Sequence, residues 1–450
     1  MRWLASLVVL VACGGDDGDI LDELAALPNV RVSEWTQPQG FEPEPGYRYF
    51  DLWFTQPVDH ENPAAGTFEQ YAALMHRDAG APLVLHTSGY GAGWKRYRNE
   101  PTTLVEGNQL SLEYRYYADS RPETIDWSTL TVQQNAADEH AVLETIGEIY
   151  RGPTLQTGGS KGGETAMFHM MLYPDDLDGA IAYVAPVITD LPDTRYATVL
   201  DDIGAGEPAI DACRDRLRAV QRELLVRRTA IEALTALEEV PRYEIAGLDH
   251  AVESAIVELE FVFWMTRGET DCDQIPPTTA PDAELYTFLV DTNSPVAFSD
   301  AVLLTSGNQY IYQDMRELGY PVLAHAHLDD LTRYSYEDWT AYLPTALPVY
   351  DPTISRQLDA YLRAGPQRIL HVGGAWDPWG AGYPTIGDGA FDFSVARGTH
   401  WSSGIYSLPD AEKSIAADTV RAWAGAGSSA LRGPTVVPKP LASMASPGPI

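Results

Sequence analysis

TLQTGGSKGG, residues 154–163, is the stretch that decides the fold. A short β-prone run leads directly into Ser160, which glycines flank on both sides, and a helical pattern with small residues follows. This order of strand, G-x-S-x-G turn and helix is typical of a nucleophile elbow, in which the turn holds a serine hydroxyl above the edge of a sheet. Glycines permit the tight backbone turn. The stretch therefore predicts an α/β sheet protein with Ser160 as its nucleophile.

Strand and helix patterns alternate on both sides of this turn. Short apolar or alternating runs predict strands, and a long run before the turn predicts a helix that Ser128 caps. The predicted strands lie at 31–35, 47–55, 68–74, 82–87, 109–114, 154–157, 180–185, 368–372 and 391–395, and the predicted helices of the sheet domain lie at 130–150 and 410–424. This alternation indicates a parallel sheet covered on both faces.

The alternation stops in the middle of the chain. Helical periodicity dominates there, for example over 211–237 and 248–266, and strand patterns are weak. We therefore expect an α/β-hydrolase catalytic domain in two parts, 31–187 and 348–425, with a mostly helical cap at 188–347 inserted before the last strands.

The start of the chain has the pattern of an export signal. An apolar run ends in LVAC at residues 10–13, which resembles the lipobox of bacterial lipoproteins. Residues 1–12 would then be a lipoprotein signal peptide, Cys13 the lipidated anchor to a membrane, and 13–30 a tether. An ordinary secretory signal is the alternative. Both interpretations predict an exported protein, either a cell-envelope lipoprotein or a secreted one.

Composition restricts the classes of molecule that the protein is expected to bind. Acidic residues outnumber basic ones by 64 to 30, and the formal net charge of −34 argues against nucleic-acid binding. The charge would attract a cationic group such as a peptide amino terminus, although a solvated acidic surface explains it equally well. In an oxidising compartment Cys213 and Cys272 are expected to form a disulfide, with two buried thiols as the alternative. Residues 426–450, rich in glycine, serine and proline, are expected to be disordered.

A serine nucleophile needs a base, and chain order restricts the choice. α/β-hydrolases supply their triad in the order serine, acid, histidine. Asp377 follows a predicted strand, and His400 is the only histidine beyond it. The expected triad is therefore Ser160, Asp377 and His400, with Asp388 and Asp392 as less well placed acids.

Two backbone groups are candidates for the oxyanion hole. The N–H of Lys161 opens the helix after the nucleophile, and the N–H of Tyr90 lies in the glycine-rich loop after an early strand. The Lys161 side chain is expected to make a surface or structural contact. His325 and His327 with nearby aspartates lack a third ligand motif, so we expect no metal there. The expected triad chemistry needs no metal and no organic cofactor.

Several motifs together resemble one family. They are QPVDH at 56–60, NP at 62–63, GTF at 66–68, SGY at 88–90, EYRYY at 113–117, GGSKGG at 158–163 and WDPW at 376–379. Over about residues 47–423 the chain is similar to the secreted prolyl tri- and tetrapeptidyl aminopeptidases, bacterial serine exopeptidases distantly related to the prolyl carboxypeptidases. The resemblance implies release of short peptides from free N-termini, with preference for proline at the cleavage position. It also implies that Ser160, Asp377 and His400 act as nucleophile, orienting acid and general base.

The resemblance requires a carboxylate for the substrate amine. Glu113 is the candidate, and a structural ion pair with Arg115 is the alternative. Glu164 departs from the apolar residue expected in relatives, either as a harmless acid in the first helical turn or as a change in the pocket. Two other functions remain open: a carboxylic-ester hydrolase with the same triad, and an inactive binding lipoprotein on a hydrolase scaffold.

Overall fold

The computed structural model describes residues 19–35, 42–93, 95–238, 242–343, 345–346, 348–366 and 368–425. The predicted signal peptide, Cys13 and the predicted tail at 426–450 lie outside these residues. Within the described part, no helix is both long and apolar enough to cross a bilayer.

A nine-stranded mixed sheet forms the centre of the described chain. The strands are β1 (Val30–Glu34), β2 (Arg48–Pro57), β3 (Thr67–His76), β4 (Leu83–Thr87), β5 (Asn108–Leu112), β6 (Thr154–Gly159), β7 (Gly179–Tyr183), β8 (Ile369–Gly374) and β9 (Phe391–Val395). They lie in the order β1-β2-β3-β5-β4-β6-β7-β8-β9. The pairs from β5 and β4 through to β9 are parallel, whereas β1, β2, β3 and β5 pair antiparallel.

The antiparallel part corrects the expectation of a parallel sheet throughout. β2 and β3 are joined by the short polar segment 58–66, and Val58 N–H donates to the Gly66 carbonyl at 2.9 Å. A connection this short can join antiparallel neighbours, whereas parallel neighbours need a long crossover.

Helices cover both faces of the sheet and build the insertion. They are α1 (Ile20–Ala26), α2 (Glu100–Val105), α3 (Val132–Ile146), α4 (Lys161–Leu172), α5 (Val199–Asp202), α6 (Pro208–Val226), α7 (Arg228–Thr235), α8 (Leu248–Val257), α9 (Leu259–Thr266), α10 (Asp282–Thr292), α11 (Asp300–Val302), α12 (Asn308–Gln313), α13 (Thr353–Arg363) and α14 (Asp410–Trp423). α3, α4 and α13 pack on one face, and α2 and α14 on the other. The fold is therefore that of an α/β-hydrolase with a helical insert between β7 and β8.

Two expectations about local structure are wrong. α3 begins after Thr131, whose side chain accepts from the Gln134 N–H, so Ser128 does not cap it. Ser128 lies one turn earlier in a 3₁₀ turn that Asp126 caps. The predicted tether also contains folded structure, because Asp19 caps α1, and Ile20, Leu24 and Leu27 are buried in one core cluster with β2. Their spacing of four and three residues places all three on one face of a helix.

The insertion has its own hydrophobic core. It is centred on α9, where Phe261, Phe263 and Trp264 are fully buried. Cys213 on α6 is joined to Cys272 by a disulfide. The same core includes Trp376 and Trp379 from the loop after β8, so the insertion packs directly on that loop.

Candidate active site

Ser160 sits at a strained turn between β6 and α4. Its φ of 55° and ψ of −130° lie outside the usual regions for a residue with a side chain. The Ser160 N–H donates to the Tyr183 carbonyl at 2.8 Å, and the Ser160 carbonyl accepts the first helical bond, from Glu164, at 3.0 Å. These bonds hold the turn from both sides, so the position of Ser160 is determined by the sheet and the helix.

The glycines of the turn are required by close packing. A Cβ on Gly158 would lie 2.4 Å from the Thr87 carbonyl oxygen, and one on Gly162 would lie 2.2 Å from the same atom. Contacts this short are not tolerated, so the start of α4 can approach β4 only with glycine at both positions. The glycine pattern of the sequence therefore indicates that α4 and β4 lie in close contact.

Asp377 and His400 form a buried pair. His400 Nδ1 lies 2.6 Å from Asp377 Oδ2, and both residues are buried. Asp377 Oδ1 accepts from the Trp379 N–H at 3.0 Å, and Oδ2 also accepts from the Tyr383 hydroxyl. The carboxylate is therefore held by three donors and orients the imidazole by its Nδ1 side.

The three predicted triad residues follow three parallel strands. Ser160 follows β6, Asp377 follows β8 and His400 lies in the loop after β9. The carboxyl ends of parallel strands meet at one edge of a sheet, and ligand sites of open α/β sheets lie at that edge. Asp392, one of the other acids considered, lies on β9, where it bonds His371 Nδ1 at 2.9 Å.

The insertion supports the histidine loop. The His400 N–H donates to the Met265 carbonyl on α9 at 3.0 Å, and the Trp379 indole N–H contacts Met265 sulfur at 3.3 Å. The side chain of Trp376 packs edge to face on Trp264. The position of the imidazole thus depends on the insertion as well as on the sheet.

The loop after β4 lies against the start of α4. Gly89 has a φ of +77°, and a Cβ on it would lie 2.7 Å from Lys161 Cγ. The Tyr90 N–H donates to Ser88 Oγ at 3.1 Å, and the Tyr90 carbonyl accepts from the Tyr114 N–H at 2.8 Å. The two predicted oxyanion residues, Tyr90 and Lys161, are therefore brought together.

The Lys161 side chain is buried, with 5% of its surface exposed. Its Nζ donates to the Gly89 carbonyl at 2.6 Å and lies 3.6 Å from the centre of the Tyr114 ring. Burial lowers the pKa of Lys161 to about 7, although nearby carboxyls oppose that shift. A surface position for this side chain is excluded, and the structural contact is with the loop after β4.

Four buried carboxyls act electrostatically on Lys161, and the sequence did not identify them as a group. They are Glu139, Glu164, Asp314 and Glu317. Burial raises the pKa of Glu139 and of Glu164 to about 8 and that of Glu317 to about 7. Glu164 is therefore not a solvated acid of the first helical turn. It is buried beside Lys161.

Glu113 and Arg115 have separate partners. Arg115 makes a buried bidentate ion pair with Asp138, with both N···O distances at 2.7 Å, so the alternative of a Glu113–Arg115 pair is wrong. The Glu113 carboxylate accepts from the Ser120 hydroxyl at 2.7 Å and the Ala92 N–H at 3.3 Å. Glu113 therefore supports the loop after β4.

The pair of histidines considered for a metal lies in the insertion, where both residues are partly exposed. His327 Nε2 lies 3.0 Å from the Gln221 side-chain oxygen, and the His325 and His327 rings contact each other edge to face. Within the described ranges no group of three or more histidine, cysteine, aspartate or glutamate side chains is arranged to hold a metal.

Comparisons with known proteins identify the family of the chain. The family described as PS-10 peptidase S37 matches residues 16–447. The prolyl tri/tetrapeptidyl aminopeptidase of Streptomyces mobaraensis is 36% identical over 436 residues, which cover 94% of this chain and 89% of that protein. Among solved structures, proline iminopeptidase of Mycobacterium smegmatis covers 83% of this chain and 99% of its own, at 13% identity and a TM-score of 0.37. The peroxisomal α/β-hydrolase Lpx1 of Saccharomyces cerevisiae covers 90% and 92%, at 13% identity and a TM-score of 0.34.

Proposed function

The chain belongs to the PS-10 peptidase S37 family and is a serine peptidase, and from this premise we propose that Ser160, His400 and Asp377 are its triad. The enzyme is a prolyl tri/tetrapeptidyl aminopeptidase, which releases short peptides from free N-termini. The observation that carries the site assignment is the buried Asp377–His400 pair at the sheet edge where the strained Ser160 turn lies.

The geometry supports an acyl-enzyme reaction. Ser160 Oγ attacks the scissile carbonyl carbon while His400 Nε2 takes the hydroxyl proton. His400 then gives that proton to the leaving amine as the C–N bond breaks, which leaves the N-terminal peptide bound to Ser160 as an ester. Water attacks the ester with His400 again as base, and Ser160 recovers its proton as the peptide leaves. Asp377 holds Nδ1 protonated so that Nε2 is free to accept.

Two backbone N–H groups are proposed to bind the oxyanion. The Lys161 N–H is the first of α4 and has no acceptor within the helix. The Tyr90 N–H donates at 3.1 Å to Ser88 Oγ, a neutral acceptor that an anionic oxygen can replace because charge-assisted bonds are stronger.

Two carboxyls are candidates for the substrate amine. Glu113 is the candidate from the sequence, but both of its oxygens accept bonds from the protein. Asp314 is buried, and its Oδ2 has no hydrogen-bond partner within the described residues. The segment that carries Asp314 packs on the Tyr90 loop through the Tyr310 and Tyr90 rings, 5.9 Å apart. Asp314 has the spare acceptor, so we favour it.

Paired substrates separate the two carboxyls. Proline-terminated tripeptide p-nitroanilides with a free or an acetylated amine are compared in Glu113→Gln and Asp314→Asn. Losing a charge-assisted bond should lower the free-to-acetylated ratio of kcat/KM by about 10–100-fold. The ratio should fall in Asp314→Asn alone. A fall in Glu113→Gln alone would restore the sequence-based candidate, and an unchanged ratio in both would exclude both.

The reaction class has its own test. A fluorophosphonate probe should label the folded protein and fail to label Ser160→Ala. Peptide amides with free amines should be cleaved, with release of tripeptides or tetrapeptides. Cleavage of short acyl esters without any peptide cleavage would replace the peptidase by the esterase, and absence of labelling would favour the inactive binding protein.

Export and lipidation at Cys13 are also proposed. The LVAC pattern at residues 10–13 supports them. A lipidated protein should incorporate labelled palmitate and enter the detergent phase on partitioning. Cys13→Ala should abolish both, and equal palmitate labelling of that variant would refute the anchor.

A further inference from the structure

The Lys161 side chain takes no part in the mechanism above, yet it is buried beside the proposed nucleophile. Lysine is rarely buried without a partner because desolvation of the ammonium is costly. Here part of the cost is offset by the bond to the Gly89 carbonyl and by the Tyr114 ring, with the Tyr90 and Tyr117 rings 5.2 and 5.4 Å away. A side chain held by these contacts can fix the orientation of the group that it contacts.

The group that Lys161 Nζ contacts is the carbonyl half of a peptide unit. The Gly89 carbonyl and the Tyr90 N–H belong to the same peptide unit, which is trans because cis bonds in the described ranges are confined to Leu191–Pro192. In a planar trans peptide the C=O and N–H point in opposite directions. An ammonium on the carbonyl side therefore sets the direction in which the Tyr90 N–H points.

Packing prevents the peptide from turning. Gly89 lies directly against the stem of Lys161, and a Cβ there would also lie 2.9 Å from the Gly162 nitrogen. On the other side the Tyr90 ring packs edge to face on Tyr117, with centroids 5.5 Å apart. The peptide is thus held between α4 and the aromatic side chains.

We propose that Lys161 is a positioning residue that orients and polarises the Gly89–Tyr90 peptide, so that the Tyr90 N–H serves as an oxyanion donor. The inference rests on the proposed function, because an oxyanion must form at Ser160. Lys161 then controls both donors, one through its own backbone N–H and the other through its side chain.

The charge of Lys161 should modulate this effect. The groups that face it are Glu139, Glu164, Asp314, Glu317, Tyr90, Tyr114 and Tyr117. Because burial lowers the pKa of Lys161 to about 7, the ammonium loses its proton as pH rises past neutrality. A charged donor polarises a carbonyl more strongly than a neutral one. Rates should therefore decline on the alkaline side.

Lys161→Met keeps the side-chain stem and removes the donor. Loss of one oxyanion donor costs about 10²–10³-fold in rate, and a misoriented donor should cost part of that, about 10–100-fold in kcat/KM. A peptide boronate mimics the tetrahedral anion, so its Ki should rise by the same factor, while the Ki of the product tripeptide stays within about twofold. Lys95→Met is the matched control, because Lys95 lies 4.4 Å from the centre of the Tyr71 ring and should change neither Ki.

Several outcomes would overturn the proposal. Unchanged boronate inhibition in Lys161→Met would show that the side chain does not act on the oxyanion. Equal increases in both Ki values would show general damage to the site. Without any variant, kcat/KM of the wild-type enzyme for p-nitrophenyl acetate, which has no amine, should fall several-fold between about pH 7 and pH 9 as the charge-assisted bond weakens. A flat profile would reject the proposal even if Lys161→Met does not fold. Failure of the function itself would appear differently, as wild-type protein that is neither labelled by fluorophosphonate nor active.

Discussion

Asp377→Asn tests whether the carboxylate sets the histidine tautomer. In the native site Oδ1 accepts the Trp379 N–H at 3.0 Å, and Oδ2 faces His400 Nδ1 at 2.6 Å and the Tyr383 hydroxyl. An asparagine must keep its single oxygen toward Trp379, since the opposite orientation would bury two donors facing each other. Its NH₂ group then faces His400 and Tyr383.

The reversed polarity changes the position of the histidine proton. Nδ1 must now accept from the amide, so neutral His400 carries its proton on Nε2 and cannot accept one from Ser160. A wrong tautomer with intact geometry costs serine proteases about 10⁴-fold in kcat, or about 5 kcal/mol of barrier. We expect a loss of that size, with little change in the unfolding midpoint because the buried hydrogen bonds are replaced.

The assay is release of p-nitroaniline from a proline-terminated tripeptide p-nitroanilide at saturating substrate. Asp392→Asn is the matched control, because Asp392 also bonds a histidine Nδ1, that of His371 at 2.9 Å, on a half-exposed side chain. It should keep kcat within about twofold, the range of surface substitutions. Retention of more than about a tenth of kcat in Asp377→Asn would refute the tautomer argument, given the expected 10⁴-fold loss.

Three further predictions concern stability. Burial raises the pKa of Glu164 to about 8 from its ordinary value of 4.5, so stability is lost as pH rises between these values, by up to about 1.4 kcal/mol per pH unit. In thermal unfolding, Glu164→Gln should therefore exceed the wild type at pH 8 and match it near pH 4.5; a lower midpoint at pH 8 would contradict this. Cys213 and Cys272 are 59 residues apart, so replacing both by serine should lower unfolding free energy by about 4 kcal/mol, measured with denaturant. An unchanged midpoint would mean that the link does not constrain the unfolded chain. Asp138→Asn leaves the buried Arg115 guanidinium without its counter-charge and should cost about 3–5 kcal/mol in the same assay, whereas a loss below about 1 kcal/mol would show that the pair is not structurally important.

Patterns within short stretches predicted most of the sheet. Predicted and observed strands differ by one or two residues at most ends, and β9 coincides at 391–395. The predicted cap of α3 was wrong because two nearby residues are both able to cap a helix. Ser128 and Thr131 are both good capping residues, and only the backbone path shows that α3 begins after Thr131.

Long-range pairing could not be predicted in the same way. Arg115 is two residues from Glu113 but pairs with Asp138. The reason is that α3, which carries Asp138, packs beside the segment after β5 that carries Arg115. Asp314 and Lys161 are brought near each other by the insertion, and no spacing rule links them. Ionisable side chains take the partner that the packing of distant elements brings to them, so their pairing follows from the tertiary fold.

The sequence alone determined the turn at Ser160, because glycine and β-strand preferences act over a few residues. Chain order, together with the position of Asp377 after a predicted strand, was enough to propose Asp377 and His400. Only the tertiary structure decided that Lys161 is buried against the Gly89 carbonyl, that His400 is supported by Met265 of the insertion, and that four buried carboxyls act electrostatically on one lysine. Backbone geometry is local, whereas burial, and with it the charge state of these groups, depends on which elements meet.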